Sequence, residues 1–206
     1  MVVPGELFLA DAPAGAKAVP VRAASAVLRP DDLSLAAAAE VLNSADRVTI
    51  LAGAGCADAH DQLIDLAKAL KAPVVHAFRG KEFVEYDNPY DVGMTGLIGF
   101  SSGYRAMEHC DALVMLGTDF PYRPFYPEGV PVVQVDMRGE RIGRRVQVTV
   151  PLLGTVRDTI DALLPLLDPK ADSTHLDRLT AHYRRARARL DEGRTLKSWS
   201  TSMNAL

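Results

Sequence analysis

Short runs of apolar, mostly β-branched residues recur along this chain, and they alternate with longer segments in which apolar residues are three or four positions apart. A short apolar run bounded by turn residues is typical of a buried strand, and the longer spacing is typical of a helix that buries one face. Strands are predicted at residues 47–52, 73–77, 112–117, 131–136 and 146–150. Helices are predicted at residues 32–42, 58–70, 101–110 and 155–167, and a long loop at residues 78–100.

This alternation determines the predicted fold. Continuous apolar strands are buried on both faces, which is the pattern of a parallel sheet covered by helices. We therefore predict an α/β fold over residues 32–168: a doubly wound, Rossmann-like parallel sheet of five to six strands with helices on both faces. Asp31 or Asp32 is expected to cap the first helix, and Ser101 or Ser102 the third.

The two ends of the chain differ from this central domain. Residues 1–31 are rich in Pro, Ala and Gly, and we expect a remnant strand at Val2 and Val3 followed by a linker. Residues 169–206 are expected to hold an amphipathic, arginine-rich C-terminal helix at about residues 173–192 and then a frayed tail.

The arginine-rich helix has three interpretations. Its apolar face is formed by Leu176, Leu179, Tyr183, Ala186 and Leu190. We favour a connector that docks on the sheet domain. Nucleic-acid binding is the less favoured alternative, and self-association through the apolar face is expected where that face lacks a partner.

The composition argues against several classes of protein. A net charge of −3, with no basic stripe before the arginine-rich helix, argues against nucleic acid as a partner. The two cysteines, Cys56 and Cys110, lie far apart and outside any metal-ligand spacing, which favours a reducing compartment. No apolar run reaches the roughly 18 residues of a membrane span, and residues 1–5 lack the basic start of a signal peptide. We expect a cytoplasmic protein without membrane contact.

Candidate binding residues follow the predicted strands, where ligands bind in a doubly wound sheet. Gly53 and Gly55 match two of the three glycines of the dinucleotide fingerprint, but Asp58 stands at the third position. This loop therefore indicates either a nucleotide site or a tight turn between a strand and a helix. Arg79, after the second strand, is a candidate partner for a phosphate, whereas His76 is interpreted as a core histidine with satisfied hydrogen bonds.

The loop at residues 95–99 is the strongest candidate. Its two glycines, Gly96 and Gly99, let the main chain approach a ligand closely. Leu97 and Ile98 offer apolar cover for a flat ring.

Polar and aromatic residues follow the next two strands. Thr118 can donate a hydrogen bond to a phosphate or a hydroxyl, and Phe120 and Tyr122 lie near the same strand end. Asp136 ends the fourth strand, where it could accept hydrogen bonds from a ribose or cap a helix at residues 138–142. No nucleophile and base can be paired, because no serine lies in a G-x-S-x-G turn and the five histidines are scattered. The sequence therefore predicts a ligand site without catalytic residues.

Together, these loops resemble the central domain of thiamine-diphosphate enzymes, and most of all the pyruvate dehydrogenase that reduces quinone, also called pyruvate oxidase. The matching segments are residues 53–56, 76–81, 85–103, 116–122 and 134–136, within a resemblance that covers about residues 2–192. The segment at residues 85–103 is the most specific of them.

The resemblance implies an FAD site, since the central domain of that family binds FAD. By position, it implies FAD contacts at Thr95, Gly96, Leu97, Ile98, Thr118, Asp119, Phe120, Pro121, Tyr122 and Asp136, with Asp136 on the adenosine ribose. It also implies that Gly53, Gly55, Cys56 and Arg79 lie near the adenine and the pyrophosphate.

The resemblance further implies a larger enzyme. Family members decarboxylate pyruvate to acetate and CO2 and pass electrons through FAD to a quinone. Thiamine diphosphate and magnesium bind between their first and third domains, whose motifs are absent here. We therefore expect missing N- and C-terminal domains as partners, a homo-oligomer such as the family tetramer, and no pyruvate turnover by this chain alone.

Three alternatives are open. The domain could belong to an acetolactate-synthase-like carboligase, which holds FAD without using it for redox chemistry. It could be a flavin-free fold remnant or an oligomerisation module. The Gly53–Cys56 turn also suits an NAD-binding module.

Overall fold

A single sheet of six strands lies at the centre of the computed structural model, which describes residues 2, 4–17, 20 and 26–194. The strands are β1 (Val48–Ala52), β2 (Val74–His76), β3 (Asp91–Met94), β4 (Ala112–Leu116), β5 (Val132–Asp136) and β6 (Val150–Leu153). All neighbouring strands pair in parallel, in the order β3-β2-β1-β4-β5-β6. The predicted doubly wound α/β fold is confirmed.

Helices cover both faces of this sheet. In the described part of the chain they are α1 (Asp32–Ser44), α2 (His60–Leu70), α3 (Lys81–Val84), α4 (Ser101–Glu108), α5 (Val156–Leu163) and α6 (Thr174–Arg194). In β4, Val114 and Leu116 pack into the core beneath α1, α2 and α5, while Leu113 and Met115 pack into the core beneath α4 and α6. Successive side chains of a strand point to opposite faces, so two covered faces require the continuous apolar strands seen in the sequence.

The structure corrects the long loop predicted at residues 78–100. Strand β3 lies within it and pairs with β2, although its Asp91-Val-Gly-Met94 sequence contains two residue types that are rare in strands. The register shifts between Val74 and His76 of β2, and helix α6 covers β3 from one side. Strand β3 is therefore stabilised by β2 and α6, although its own residues do not favour a strand.

The last predicted strand is displaced along the chain. The prediction was residues 146–150, but pairing with β5 begins where Val150 lies opposite Val133. Val146 and Val148 pack partly buried against the core beneath α4 and α6 without forming a strand. An alternating apolar pattern shows which side chains are buried, and it does not by itself show which backbone groups pair.

Two helix ends also differ from the prediction. Helix α4 begins after Phe100 with no side-chain cap, because the hydroxyl of Ser102 donates instead to the carbonyl of Val92 at 2.7 Å. Helix α5 stops at Leu163 rather than residue 167, since Pro165 lacks an N–H and lies in a 3-10 turn. Asp31 caps α1 as predicted, its Oδ1 accepting from the amide of Ser34 at 2.9 Å.

Helix α6 docks on the sheet domain through much of its apolar face. Leu179 is fully buried, and the ring of Tyr183 meets Phe100 edge-on with centroids 5.0 Å apart. A Cβ added to Gly93, whose φ is +90°, would lie 2.8 Å from the Tyr183 ring, so glycine at this position lets the helix approach β3. Leu190 remains exposed. Of the face considered for self-association, Leu176 and Leu179 are therefore buried within the domain, and Tyr183 and Ala186 are half-buried.

The predicted terminal features lie largely outside the described residues. Val2 is exposed and belongs to no strand, and Val3 and residues 195–206 are not described. No helix in the described ranges is long and apolar enough to cross a membrane.

His76 and Asp91 form a buried pair between β2 and β3. The Nε2 atom of His76 lies 3.6 Å from Oδ1 of Asp91, and neither ring nitrogen has a hydrogen-bond partner among the described residues. His76 is therefore not the satisfied core histidine that was predicted. Burial raises the pKa of Asp91 to about 6 and lowers the pKa of His76 to about 4.

The variant Asp91→Asn should remove a pH-dependent destabilisation of the native state. Because the pKa of Asp91 is raised on folding, its stabilising contribution is complete below the unfolded value of 3.8 and is lost as the pH rises through about 6. His76 has the opposite dependence, since its lowered pKa destabilises the native state as the pH falls from 6.5 towards about 4. We expect Asp91→Asn to raise the free energy of unfolding by about 1–3 kcal/mol at about pH 8, and by much less at about pH 4.5, in urea titrations.

A matched control is Asp161→Asn, which removes an exposed carboxylate on helix α5. The control should change stability little at either pH. An equal gain for Asp91→Asn at both pH values would show that the burial of the Asp91 charge is not its cause.

Candidate functional site

A cavity of about 590 Å³ opens at the carboxyl ends of the strands. It lies where β1 and β4 are neighbours and the strand order reverses, which is the ligand position of doubly wound sheets. Its volume is within the roughly 300–1,000 Å³ of small-molecule sites. Ten of the predicted site residues line it: Gly53, Arg79, Thr95, Leu97, Ile98, Thr118, Asp119, Phe120, Pro121 and Tyr122.

The other four predicted residues, Gly55, Cys56, Gly96 and Asp136, do not line this cavity. Cys56 is fully buried, its Sγ lies 3.7 Å from the carbonyl oxygen of Leu116, and burial raises its pKa to about 12. Its thiol therefore packs as a small apolar group rather than facing a ligand.

Gly55 belongs to a close contact between the loops that follow β1 and β4. A Cβ on Gly55 would lie 2.6 Å from Cα of Gly117, and one on Gly117, whose φ is +55°, would lie 2.5 Å from Cα of Gly55. The amides of Gly53 and Gly55 donate to the carbonyls of Leu116 and Gly117 at 2.9 and 3.0 Å. Both amides are hydrogen-bonded within the protein and are not free to bind a phosphate. The loop is therefore better described as a tight turn than as a phosphate-binding loop.

Gly96 does not line the cavity itself, but it packs against Phe120, which does. Its φ is +104°, and a Cβ would lie 3.1 Å from the ring of Phe120. The glycine therefore lets the Thr95–Ile98 loop pack against the loop that follows β4.

Part of the cavity lining is apolar and aromatic. Leu97 and Ile98 are 72% and 73% exposed, and Phe78, which also lines the cavity, is exposed as well. Phe120 is buried beneath, with its ring centroid 5.4 Å from that of Tyr122. Apolar side chains left exposed at a cavity mouth are suited to cover a flat ring.

A buried hydroxyl lies in the same wall. Thr95 is 3% exposed, and its Oγ1 has no hydrogen-bond partner among the described residues. Buried polar atoms are normally paired, so this unpaired hydroxyl is an unusual feature next to the cavity. Its Oγ1 is closed to solvent and does not face the open cavity.

The cavity lining also carries three arginines. They are Arg79 from the loop after β2 and Arg141 and Arg145 from the segment after β5, and within the described ranges Arg79 and Arg141 form no ion pair. Arginines present several N–H donors in a plane that matches phosphate oxygens. The sequence analysis missed Arg141 and Arg145, although the four arginines within residues 138–145 were a usable signal.

Asp119 already pairs with two of the arginines that follow β5. Its Oδ1 accepts from Nε of Arg145 at 2.6 Å, and its Oδ2 accepts from Nη2 of Arg145 at 3.1 Å and Nη1 of Arg144 at 3.3 Å. The hydrogen bonds from Arg145 hold the pKa of Asp119 below its usual range. Asp119 therefore stays ionised.

Asp136 lies at the carboxyl edge of β5 but beside the cavity rather than in its wall. It is buried, and its Oδ1 accepts from the amide of Arg138 at 2.9 Å. The short 3-10 turn at Gly139–Arg141 has Arg138 as its N-cap, so Asp136 is not a helix cap. Its second oxygen makes no hydrogen bond with the described residues.

The described residues include no group of three or more His, Cys, Asp or Glu side chains placed to hold a metal ion. The site as described is one for binding, and its lining contains both arginines and exposed apolar side chains.

Comparison with known proteins relates the chain to one group of enzymes. Residues 35–163 match the family model described as "Thiamine pyrophosphate enzyme, central domain". A 42.6 kDa uncharacterised protein of Pseudomonas amyloderamosa is 55% identical over 93% of this chain and 49% of its own length. The Bacillus subtilis protein YdaP, named for its thiamine pyrophosphate, is 36% identical over 75% of this chain and 27% of its own. A Methanocaldococcus jannaschii protein assigned as an acetolactate synthase large subunit is 31% identical over 71% and 27%.

A solved structure shows the same architecture. The X-ray structure of a Mycobacterium smegmatis protein assigned as a thiamin diphosphate-dependent enzyme superimposes with a TM-score of 0.62 at 26% identity, over 75% of this chain and 31% of that one. The chain spans about half or less of the length of the curated relatives it matches. The family match extends from α1 to the end of α5 and includes every strand of the sheet. The chain therefore belongs to the central-domain family of thiamine pyrophosphate enzymes.

Proposed function

We propose that the cavity at the strand ends binds FAD, and that the chain is the FAD-binding central domain of a pyruvate:quinone oxidoreductase. The observation that supports the binding proposal most strongly is that segments after five neighbouring strands enclose one cavity, whose lining contains both arginines and exposed apolar side chains. A dinucleotide with a flavin ring needs both surfaces, one for its diphosphate and one for its ring.

The residues suit the parts of this ligand. Arg79, Arg141 and Arg145 would bind the diphosphate, since arginine matches the geometry of phosphate oxygens. The exposed side chains of Leu97 and Ile98 would cover an aromatic ring. Bound there, FAD would supply the redox chemistry, and the protein would supply its binding and orientation.

Two other buried groups could complete the site. The unpaired hydroxyl of Thr95 would hydrogen-bond to a polar atom of the ligand if its side chain turned towards the cavity, because its Oγ1 is buried. The role of Asp136 on the adenosine ribose stays a prediction, because its carboxylate is buried outside the cavity wall. Thiamine diphosphate and magnesium are assigned no residues in this chain, since no described cluster of acids and histidines is suited to the metal.

Titration of the purified chain with FAD tests the binding proposal. We expect visible flavin bands that survive desalting and a rise in melting temperature, because a ligand at a hundredfold excess over its Kd stabilises the native state by about 2.7 kcal/mol. NAD serves as the competitor that tests the nucleotide alternative. A chain that is folded by circular dichroism but is neither coloured nor stabilised by FAD would support the flavin-free alternative instead.

The reaction is a separate question from the binding. The similarity of the segment at residues 85–103 to quinone-reducing pyruvate dehydrogenases supports the oxidoreductase, while the 31% identity to an acetolactate synthase large subunit supports a carboligase. In a protein that joins this domain to thiamine diphosphate-binding domains, the two differ in their product from pyruvate. Acetate with reduction of an added quinone would support the first, and acetolactate without quinone reduction would support the second.

A further inference from the structure

The only carboxylate among the residues that line the described cavity is that of Asp119, and it pairs with arginines that follow β5. Three charge-assisted hydrogen bonds join its two oxygens to Arg145 and Arg144. Both oxygens are therefore occupied, and Asp119 has little capacity left to accept a hydrogen bond from a ligand.

The ion pair between Asp119 and Arg145 changes what the arginines of the cavity can bind. Arg145 keeps donors that Asp119 does not use, because a guanidinium presents five N–H groups and the pair engages its Nε and Nη2. Its positive charge, however, is largely neutralised by a carboxylate less than 4 Å away. Of the arginines in the wall, Arg79 and Arg141 alone remain without an ion-pair partner in the described residues.

A ligand phosphate brought to this wall meets the summed field of Asp119 and its two arginine partners, and Asp119 makes that field less positive by one charge. The energetic cost rises with each additional charge on the phosphate. A terminal phosphate monoester carries about 1.5–2 negative charges near neutral pH, whereas a phosphate within a diester carries a single one. Asp119 should therefore weaken the binding of monoesters more than that of diesters.

We propose that Asp119 is a specificity-determining residue, which makes the cavity select nucleotides whose diphosphate is a diester over nucleotides that end in a free phosphate. The proposal deepens the proposed function, because it rests on the cavity being a nucleotide site. It assigns to this acidic residue a role against the wrong ligand rather than a contact with the right one.

The test compares two adenosine ligands that differ at the terminal phosphate, ADP and ADP-ribose, with FAD as the reference. Dissociation constants are measured by calorimetry at low salt for the native chain, for Asp119→Asn and for Asp119→Glu. In Asp119→Asn we expect the affinity for ADP to rise about five- to tenfold relative to that for ADP-ribose, and the gain to shrink as salt is added. Asp119→Glu keeps the charge and should restore the native ratio.

The ratio of the affinities for ADP and ADP-ribose separates this role from a structural one, since partial unfolding would lower both affinities by the same factor. Asp161→Asn, which removes a distant charge on helix α5, should leave the ratio unchanged. An unchanged ratio in Asp119→Asn, with FAD still bound by the native chain, would overturn this proposal alone. Failure of the native chain to bind FAD, ADP or ADP-ribose would overturn the proposed function together with it.

Discussion

Adding one methyl group to Gly55 or Gly117 is expected to lower the free energy of unfolding by about 2–5 kcal/mol. The two glycines meet where the loops after β1 and β4 cross, and either Cβ would lie within 2.6 Å of the other residue's Cα. The neighbouring atom is backbone in both cases, so no side chain can rotate away to make room. Gly117 also has a φ of +55°, which adds strain for any residue with a Cβ. Urea titration of Gly55→Ala and Gly117→Ala measures the loss.

The matched control is Gly139→Ala. Its nearest neighbour would be the flexible side chain of Leu153 at 3.9 Å, and its φ is not positive, so we expect a change below about 0.5 kcal/mol. Because the same contact positions Gly53 and Thr118 in the cavity wall, the damaged variants should also bind FAD more weakly. If Gly55→Ala and Gly117→Ala were as stable as Gly139→Ala, that result would contradict the close approach of the two loops.

The double variant Arg79→Gln with Arg141→Gln should lower the affinity for FAD by at least about a hundredfold. A hydrogen bond to a charged group contributes about 1.5–3 kcal/mol, and each arginine reaches the cavity with no ion-pair partner among the described residues. Each single variant should lose about tenfold, because 1.4 kcal/mol corresponds to one factor of ten. Fluorescence titration with FAD measures both.

Arg184→Gln is the control for these arginine variants, since Arg184 is exposed on α6 and lies outside the cavity. It should bind FAD as the native chain does. The salt dependence gives a second measurement, because the affinity of the double variant should fall less steeply with added salt. Equal losses in the control and the double variant would indicate a general effect of net charge rather than contacts in the cavity.

Local patterns were sufficient for most of the sheet and its helices. The run at residues 47–52 forms β1, whose side chains are all buried, because an apolar β-branched run has one stable environment in a sheet covered on both faces. Asp31 caps α1 through its own side chain, which is a contact between residues three positions apart. Such features depend on neighbours in the sequence and are visible there.

Strand β3 shows where local patterns end. Its four residues include Asp91 and Gly93, and nothing in them favours a strand. Asp91 is buried beside His76, and Gly93 is needed because the ring of Tyr183 from α6 lies against it. Each reason comes from a residue distant in the sequence.

The candidate site divides in the same way. Ten of the fourteen predicted residues line the cavity. Strand ends and loop composition predicted eight of them, since parallel strands bring their carboxyl ends to one edge, and the resemblance added Asp119 and Pro121. Arg141 and Arg145 were missed because they reach the cavity from beyond β5, across the segment at residues 137–145. Gly55 was a candidate from the glycine fingerprint and the resemblance, and Cys56 from the resemblance, but Gly55 packs on Gly117 and the Cys56 thiol is in the core.

The sequence by itself determined the doubly wound architecture, most of its strands and helices, and the edge of the sheet at which a ligand would bind. Hydrophobic periodicity and strand polarity can be read from the order of the residues alone, without knowing which residues are in contact. Only the tertiary structure decided which glycines serve packing, which arginines face the cavity, and that Asp119 is occupied by Arg145. The physical reason is that packing clearance and ion pairing depend on distances between segments far apart in the chain.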